Sequence, residues 1–305
     1  MTTLTVSLPP DCPGLAAYSW LRQTQHISRS HWRRLKNSGT FRINGALVNA
    51  TLSVVHTGDV VSFESEKHAE SSIEPQDLPL TIRYEDEALL VIDKPAGQLV
   101  HPLKKEPLGT VGNAVLGYYR RTGQAHGFHP VHRLDRNTTG LVLIAKEPQV
   151  QYRLTPRGVK KFRRDYLALV PGTLTPREGT IDLPLGHAPD SFVRQMVRED
   201  GKPAITHYRT LRTGCLARPD GTMQAISMLQ LTLATGRTHQ IRVHLAHLGH
   251  PLLGDDLYGG DQTFIARQAL HACRLTFTHP WRGETIVITA PLPADIQGLL
   301  RQLQA

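Results

Sequence analysis

Five consecutive apolar residues, Leu141-Val142-Leu143-Ile144-Ala145, run between Gly140 and Lys146. The run is too short for a typical globular helix and has no polar face, so it predicts a fully buried strand. That strand fixes the setting of what precedes it, Val131-His132-Arg133-Leu134-Asp135-Arg136-Asn137-Thr138-Thr139. Asp135 then falls just outside a sheet, on a turn held by a rigid strand, with Thr138 and Thr139 placed to tie the turn down. A carboxylate between two arginines can stay ionised there and act as nucleophile or base. The same residues also describe a surface turn with a structural salt bridge.

Other apolar segments extend the pattern. Leu89 to Ile92 predicts a second buried strand, with Lys94-Pro95-Ala96-Gly97 a stiff turn beyond its end. Thr110 is placed to cap a short helix through Val111, Ala114, Val115 and Tyr118, and Gln149 to Leu154 reads as another. Tyr166 opens the buried strand Leu167 to Val170, while Leu229, Leu231 and Leu233 alternate with polar residues as in a half-buried strand. Ile241, Leu245 and Leu248 fall at helical spacing, with Thr238 as the cap and Gly249 as the stop. Arg237 sits at that strand–helix junction, directed toward a cleft. Two strands (275–277 and 285–289) and a helix using Ile296, Leu299, Leu300 and Leu303 complete the chain.

Upstream, residues 14–63 read as a small module. Leu15, Tyr18 and Leu21 mark a first helix; a second, capped at Ser28 or Ser30, runs through Trp32 and Leu35 to Gly39. Arg29, His31, Arg33, Arg34 and Lys36 occupy its other positions, as on a nucleic-acid-binding face or an ordinary solvated one. Asn44-Gly45 signals a hairpin and Gly58 to Phe63 a strand. Residues 64–77 are polar and aperiodic, a linker, so the expected organisation is 1–63, a linker at 64–77, and a large domain at 78–305.

The balance is basic, with 35 Lys+Arg against 26 Asp+Glu and a net charge of +9. Such a chain gains free energy by displacing counterions from phosphates. An anionic membrane surface would suit the charge too, but no long basic amphipathic helix with an aromatic apolar face is present. RNA is therefore the expected partner, and the run Arg157 to Arg164 fits its backbone as well as it fits a solvated loop. No apolar stretch is long enough to span a bilayer, no secretory signal is visible, and Cys12, Cys215 and Cys273 have no paired spacing. These features predict a cytoplasmic, monomeric protein without disulfides.

The string His132-Arg133-Leu134-Asp135, followed by polar residues, Gly140 and the apolar strand, resembles the catalytic motif of RluA-type pseudouridine synthases. Asn137-Thr138-Thr139 stands where that family usually has Asp-Thr-Ser. Further strings resemble the family in order: Asp93-Lys94-Pro95-Ala96-Gly97, Arg164-Asp165-Tyr166, Gly201-Lys202-Pro203-Ala204, Gly236-Arg237-Thr238-His239-Gln240-Ile241-Arg242, Gly254-Asp255-Asp256-Leu257-Tyr258-Gly259 and Leu270-His271-Ala272. The resemblance implies an α+β catalytic domain on a mixed, largely antiparallel sheet with a central cleft. It implies isomerisation of uridine within RNA, with large-subunit ribosomal RNA the first expectation and transfer RNA the second. Asp135 would be the nucleophile or base, Tyr166 would stack on the target base or accept a proton, and Arg237 would pair with Asp135. RNA contacts are expected from Arg29, Arg33, Arg34, Lys36, Lys94, Arg133, Arg136, Arg164, Lys202, His239 and Arg242, of which Lys94 also reads as a contact to the catalytic loop and Arg242 as structural. Ser28-Arg29-Ser30, Asn44-Gly45 and Gly58-Asp59 resemble an S4 RNA-binding domain. No cofactor or metal is expected; His239, His244, His247 and His250 lack a zinc-binding pattern. Two other readings stay open: an RNA-binding protein that has lost catalysis, and a metal-dependent RNA hydrolase using those histidines.

Overall fold

A computed structural model describes residues 2–24, 29–63 and 72–304, with backbone alone at residues 2, 29–31, 34 and 157. The first elements are β1 (Thr2–Thr5), β2 (Leu15–Ala16), α1 (Ala17–Thr24), α2 (Arg29–Asn37), β3 (Arg42–Ile43), β4 (Ala46–Leu47), β5 (Val54–Val55) and β6 (Val60–Phe63). Asn44 and Gly45 both take positive φ, 51° and 81°, the backbone that a two-residue hairpin of matching twist requires. The Asn44 amide donates to Asp59 Oδ1 and its carbonyl accepts from Val60 N, at 2.8 and 2.7 Å. The two turn strings read in the sequence therefore hold each other. Trp20, Leu21, Leu35, Phe41, Val55, Val61 and Phe63 close a core of their own over these elements. Arg33 and Lys36 stand exposed on α2. Ser30 lies inside that helix, and Ser28 lies outside the described residues.

The larger unit contains β7 (Ile82–Glu85), β8 (Leu89–Lys94), α3 (Val111–Arg121), β9 (His129–Pro130), β10 (Thr139–Ala145), α4 (Pro148–Leu154), β11 (Phe162–Pro171) and β12 (Glu178–Asp182). It continues through β13 (Leu185–His187), β14 (Gln195–Val197), β15 (Ile205–Ala217), β16 (Met223–Leu233), α5 (Gln240–His247), β17 (Leu270–Thr278), β18 (Thr285–Thr289) and α6 (Ala294–Gln302). Its main sheet runs β12-β15-β16-β11-β17-β10-β8-β7, with β9 and β18 pairing off that path. Only β10 and β17 pair in parallel among the described strands. The class is therefore α+β, as expected.

All seven residues of β10 are buried because both faces of the sheet are covered. Val142 and Ile144, with Leu90 and Ile92 of β8, pack beneath α3 and α5 on Val111, Val115, Ile241 and Leu245. Leu141, Leu143 and Ala145, with Leu89 and Val91, face Val150 and Leu154 of α4 and Phe277 of β17. Each such side chain contributes about 1.5–3 kcal/mol from burial, enough in sum to make the strand a rigid base for the loop before it.

Thr110 caps α3 in a reciprocal capping box with Asn113. Residues 74–76 of the expected linker are strapped to this helix start: Gln76 N donates to Asn113 O at 3.0 Å, and Asn113 Nδ2 to Glu74 O at 2.8 Å. Residues 64–71 lie outside the described residues. At α5 the capping position is taken by His239 in a left-handed conformation (φ 56°) with no side-chain cap, not by Thr238. Among the described residues no helix is long and apolar enough to cross a membrane.

Candidate active site

The loop 131–138 is pinned at its start to β10 and runs directly into that strand at its end. Val131 N donates to Leu143 O at 2.8 Å, and Leu143 N donates to His132 Nε2 at 3.2 Å. Burial, then the Arg164 charge, hold the His132 imidazole well below its ordinary pKa, so the ring stays neutral and can accept that bond. It stacks on Phe162, ring centroids 5.4 Å apart. Thr138 N closes a turn onto Asp135 O at 3.1 Å, Thr138 Oγ1 accepts from Gln268 Nε2 at 3.2 Å, and Thr139 Oγ1 shares a hydrogen bond with His271 Nδ1 at 2.9 Å. Both threonines tie the turn down, as read from the sequence.

Of the two contacts expected of Lys94, a phosphate or the catalytic loop, the structure shows the loop. It is buried at the end of β8, and its ammonium donates to Pro95 O, Gln98 O and Arg136 O at 2.7, 2.9 and 2.8 Å. The lysine is thus a clamp across the loop that carries Asp135. Burial pushes its amine down to about 7, against the pull of Asp135.

The arginine that reaches Asp135 is Arg242 and not Arg237. Arg242 Nη1 lies 3.4 Å from Asp135 Oδ2, while its Nε and Nη2 each meet an Asp255 oxygen at 2.7 Å. Asp255 is fully buried, and Tyr258 lies under the guanidinium with its ring centroid 5.0 Å from Cζ. The fork is therefore locked by one acid and presents its remaining nitrogen to the other. Burial pulls the Arg242 pKa down, but Asp255 and then Asp135 outweigh it and the net shift is upward. Arg237, five residues earlier, is exposed and donates from Nε to Pro203 O at 3.0 Å. The difference is geometric: Arg237 precedes α5, whereas Arg242 lies in its first turn and is carried over the loop.

Asp135 remains accessible, with about 23% of its side chain exposed. Its single long contact leaves lone pairs directed into a cleft of ≈ 290 Å³ whose walls include Tyr166, Lys160, Arg164, Arg237 and Arg242. An adjoining groove of ≈ 680 Å³ shares Asp135, Arg133, His239 and Arg242 and extends to Phe192 and Val193. Tyr166 is buried, and burial raises its phenol, so it is neutral at pH 7. Arg133 Nη2 donates to Thr238 Oγ1 at 2.5 Å, Arg136 pairs with Glu106 at 2.5 Å, and His239 Nδ1 meets Tyr258 OH at 2.9 Å. Lys202 is exposed; the Arg29 and Arg34 side chains lie outside the described residues. His244 is buried and bonded to Thr206 and Leu183, the partners of a packed helix residue.

Residues 88–247, just over half of the chain, match the RNA pseudouridylate synthase family. Ribosomal large subunit pseudouridine synthase D of Haemophilus ducreyi is 37% identical over 99% of this chain and 95% of its own length. The chain belongs to that family. Its synthase of the same name from Escherichia coli O157:H7 is 39% identical over 86% of this chain and 82% of its own length. Among solved structures, human RNA pseudouridylate synthase domain containing 1 superposes with a TM-score of 0.56 at 25% identity, over 73% of this chain and 94% of that one. The chain is thus an RluA-type pseudouridine synthase, an isomerase that converts uridine in RNA to pseudouridine. Two site features escaped the sequence reading. Asp255 stood inside a quoted string, but nothing local to it named Arg242 as partner. The β13–β14 hairpin, whose connecting loop exposes Phe192 fully, carries too few apolar residues to register as strands.

Proposed function

We propose that this synthase acts on large-subunit ribosomal RNA, with Asp135 as nucleophile or base, Arg242 as its counter-charge and Tyr166 as the surface on which the target base stacks. The observation that carries the reading is the Asp135–Arg242–Asp255 chain at the edge of an open cleft. A carboxylate facing a cleft without a counter-charge would tend to take up a proton. One long contact to a fixed guanidinium sets a counter-charge beside Asp135 while leaving its oxygens free to react. The target uridine must leave its stack to reach the cleft. The bond from ribose to N1 then breaks, the uracil turns while held, and the bond from ribose to C5 forms, with C5 giving up its proton to solvent and N1 taking one up. A neutral phenol at Tyr166 suits stacking, not proton abstraction. Arg133, Arg136 and Lys202, with Arg33 and Lys36 on the S4-like 1–63 unit, would meet phosphates. The same reading carries a cytoplasmic monomer and no cofactor. Relatives named for the large ribosomal subunit support the substrate.

Tritium release from transcripts labelled at uridine C5 tests this directly, with large-subunit ribosomal RNA and transfer RNA compared. Release from the ribosomal transcript, insensitive to EDTA and abolished in Asp135→Asn with RNA affinity nearly unchanged, is expected. Release from transfer RNA alone would reassign the substrate. Loss of binding together with turnover would make Asp135 structural.

A further inference from the structure

Lys160 has no part in the chemistry above, yet it lines the same cleft as Asp135 and Tyr166. Its ammonium is buried against Gly236 and meets no hydrogen-bond acceptor among the described residues. Arg164, on β11, is buried beside it: one terminal nitrogen donates to Thr235 O at 3.1 Å, and its Nε likewise has no partner. Arg164 Nη2 lies 2.7 Å from where a Cβ on Gly236 would stand, so the glycine is what lets both cations close over the backbone. Arg237 follows directly. Burial, then Arg164 and Arg237, push the Lys160 amine down to about 7.

Among the described residues no acid pairs with these three cations. Asp135 already faces Arg242. Asp165, next to Arg164 on the strand, points to the opposite face and is held by Arg163 at 2.9 Å and Thr232 at 2.6 Å. The Lys160 ammonium, buried without counter-charge or acceptor, is costly in the empty protein and is relieved when an anion enters. A uracil oxygen accepts hydrogen bonds but brings no charge, whereas a phosphodiester brings a full negative one.

We propose that Lys160, Arg164 and Arg237 form a phosphate site that takes one phosphodiester group of the RNA strand flanking the extruded uridine. The identity of the anion rests on the RNA reading above; the site itself rests on the unanswered cations.

The site is tested first without RNA. In protein labelled with [13C]lysine, inorganic phosphate at constant ionic strength should raise the Lys160 titration by about one unit, and Arg164→Met should abolish the rise. An unchanged titration in the wild type overturns the phosphate site. Ethylation interference on a large-subunit ribosomal RNA transcript then identifies the group. Wild type should show interference at a phosphate next to the modified uridine. Lys160→Gln should lose interference there alone, raise KM roughly tenfold more than it lowers kcat, and reduce the slope of log affinity on log salt by about 0.7. Lys160→Arg should restore all three. An identical interference pattern in Lys160→Gln, or a fall in kcat alone, overturns the assignment. A thermal midpoint in Lys160→Gln at or above that of wild type is expected, and a marked fall would make Lys160 structural. If wild type releases no tritium from any RNA, the RNA reading fails, while the phosphate titration still decides the site.

Discussion

Arg242 divides its nitrogens between two acids, and the division sets its role. Asp255 holds two of them at 2.7 Å, and the third reaches Asp135 at 3.4 Å. A lysine there would keep the charge but could not span both carboxylates. Arg242→Lys should therefore lose a charge-assisted bond of about 1.5–3 kcal/mol, which is roughly a ten- to hundredfold fall in kcat, with RNA affinity by filter binding little changed. Asp135 and Tyr166 were legible because each sits in a short local string whose chemistry is local too. Arg237 and Arg242 lie in one string and are the same residue type. Which of them meets Asp135 depends on where α5 begins and how it is rotated, a quantity that residue identity does not carry. Lys94 was left between phosphate and the catalytic loop for a related reason: its string ends a strand, and only the folded loop shows three carbonyls converging on its ammonium.

At the scale of elements, the strands that position the loop depend on two tight junctions. Gly140, the second residue of β10, has φ 108°, and a Cβ there would lie 2.7 Å from Ala272 N of β17. Gly140→Ala combines backbone strain with overpacking, each about 1–3 kcal/mol. It should lower the urea midpoint and reduce tritium release more than stability alone accounts for, because the displaced strand anchors the loop that carries Asp135. The β7–β8 turn depends on Asp86, which accepts from Ala88 N and Leu89 N at 2.8 Å and also meets Tyr84 and Arg282. Burial raises its carboxyl, but these bonds and the His279 charge outweigh it, and the net shift is downward from 3.8. A carboxyl lower in the folded than in the unfolded state stabilises fully above the unfolded value and loses that contribution as pH falls through the folded one. Thermal melts of Asp86→Asn should lie below wild type at pH 7, and the gap should close below about pH 4; a gap independent of pH would contradict this. Strongly apolar elements such as β8 and β10 were readable. The long β15 was not, since its mixed burial follows from lying between β12 and β16 near the sheet edge.

For the whole molecule, the net charge of +9 makes RNA binding salt-sensitive. Arg33 and Lys36 are exposed on α2 of the N-terminal unit, far in sequence from the catalytic loop. Reversing both to Glu should weaken binding of a long ribosomal transcript and flatten its salt dependence by at least about 1.4 in slope, since single-stranded contacts count about 0.7 each. Tritium release at saturating RNA should stay close to wild type. A fall in kcat instead would place that helix within the reaction.

Residue identity alone determined the buried strands, the turn that holds Asp135, the Asn44-Gly45 hairpin and the basic character that selects RNA. Each depends on contacts within a few positions or on a simple sum of charges. Tertiary structure alone decided that β10 pairs in parallel with β17, that Asp255 locks Arg242 across from Asp135, and that Lys94 clamps the loop while Lys160 lies unanswered in the cleft. Such pairings join residues more than a hundred positions apart in the case of Arg242 and Asp135. They are set by how covered sheets and helices pack, and that packing leaves no local trace.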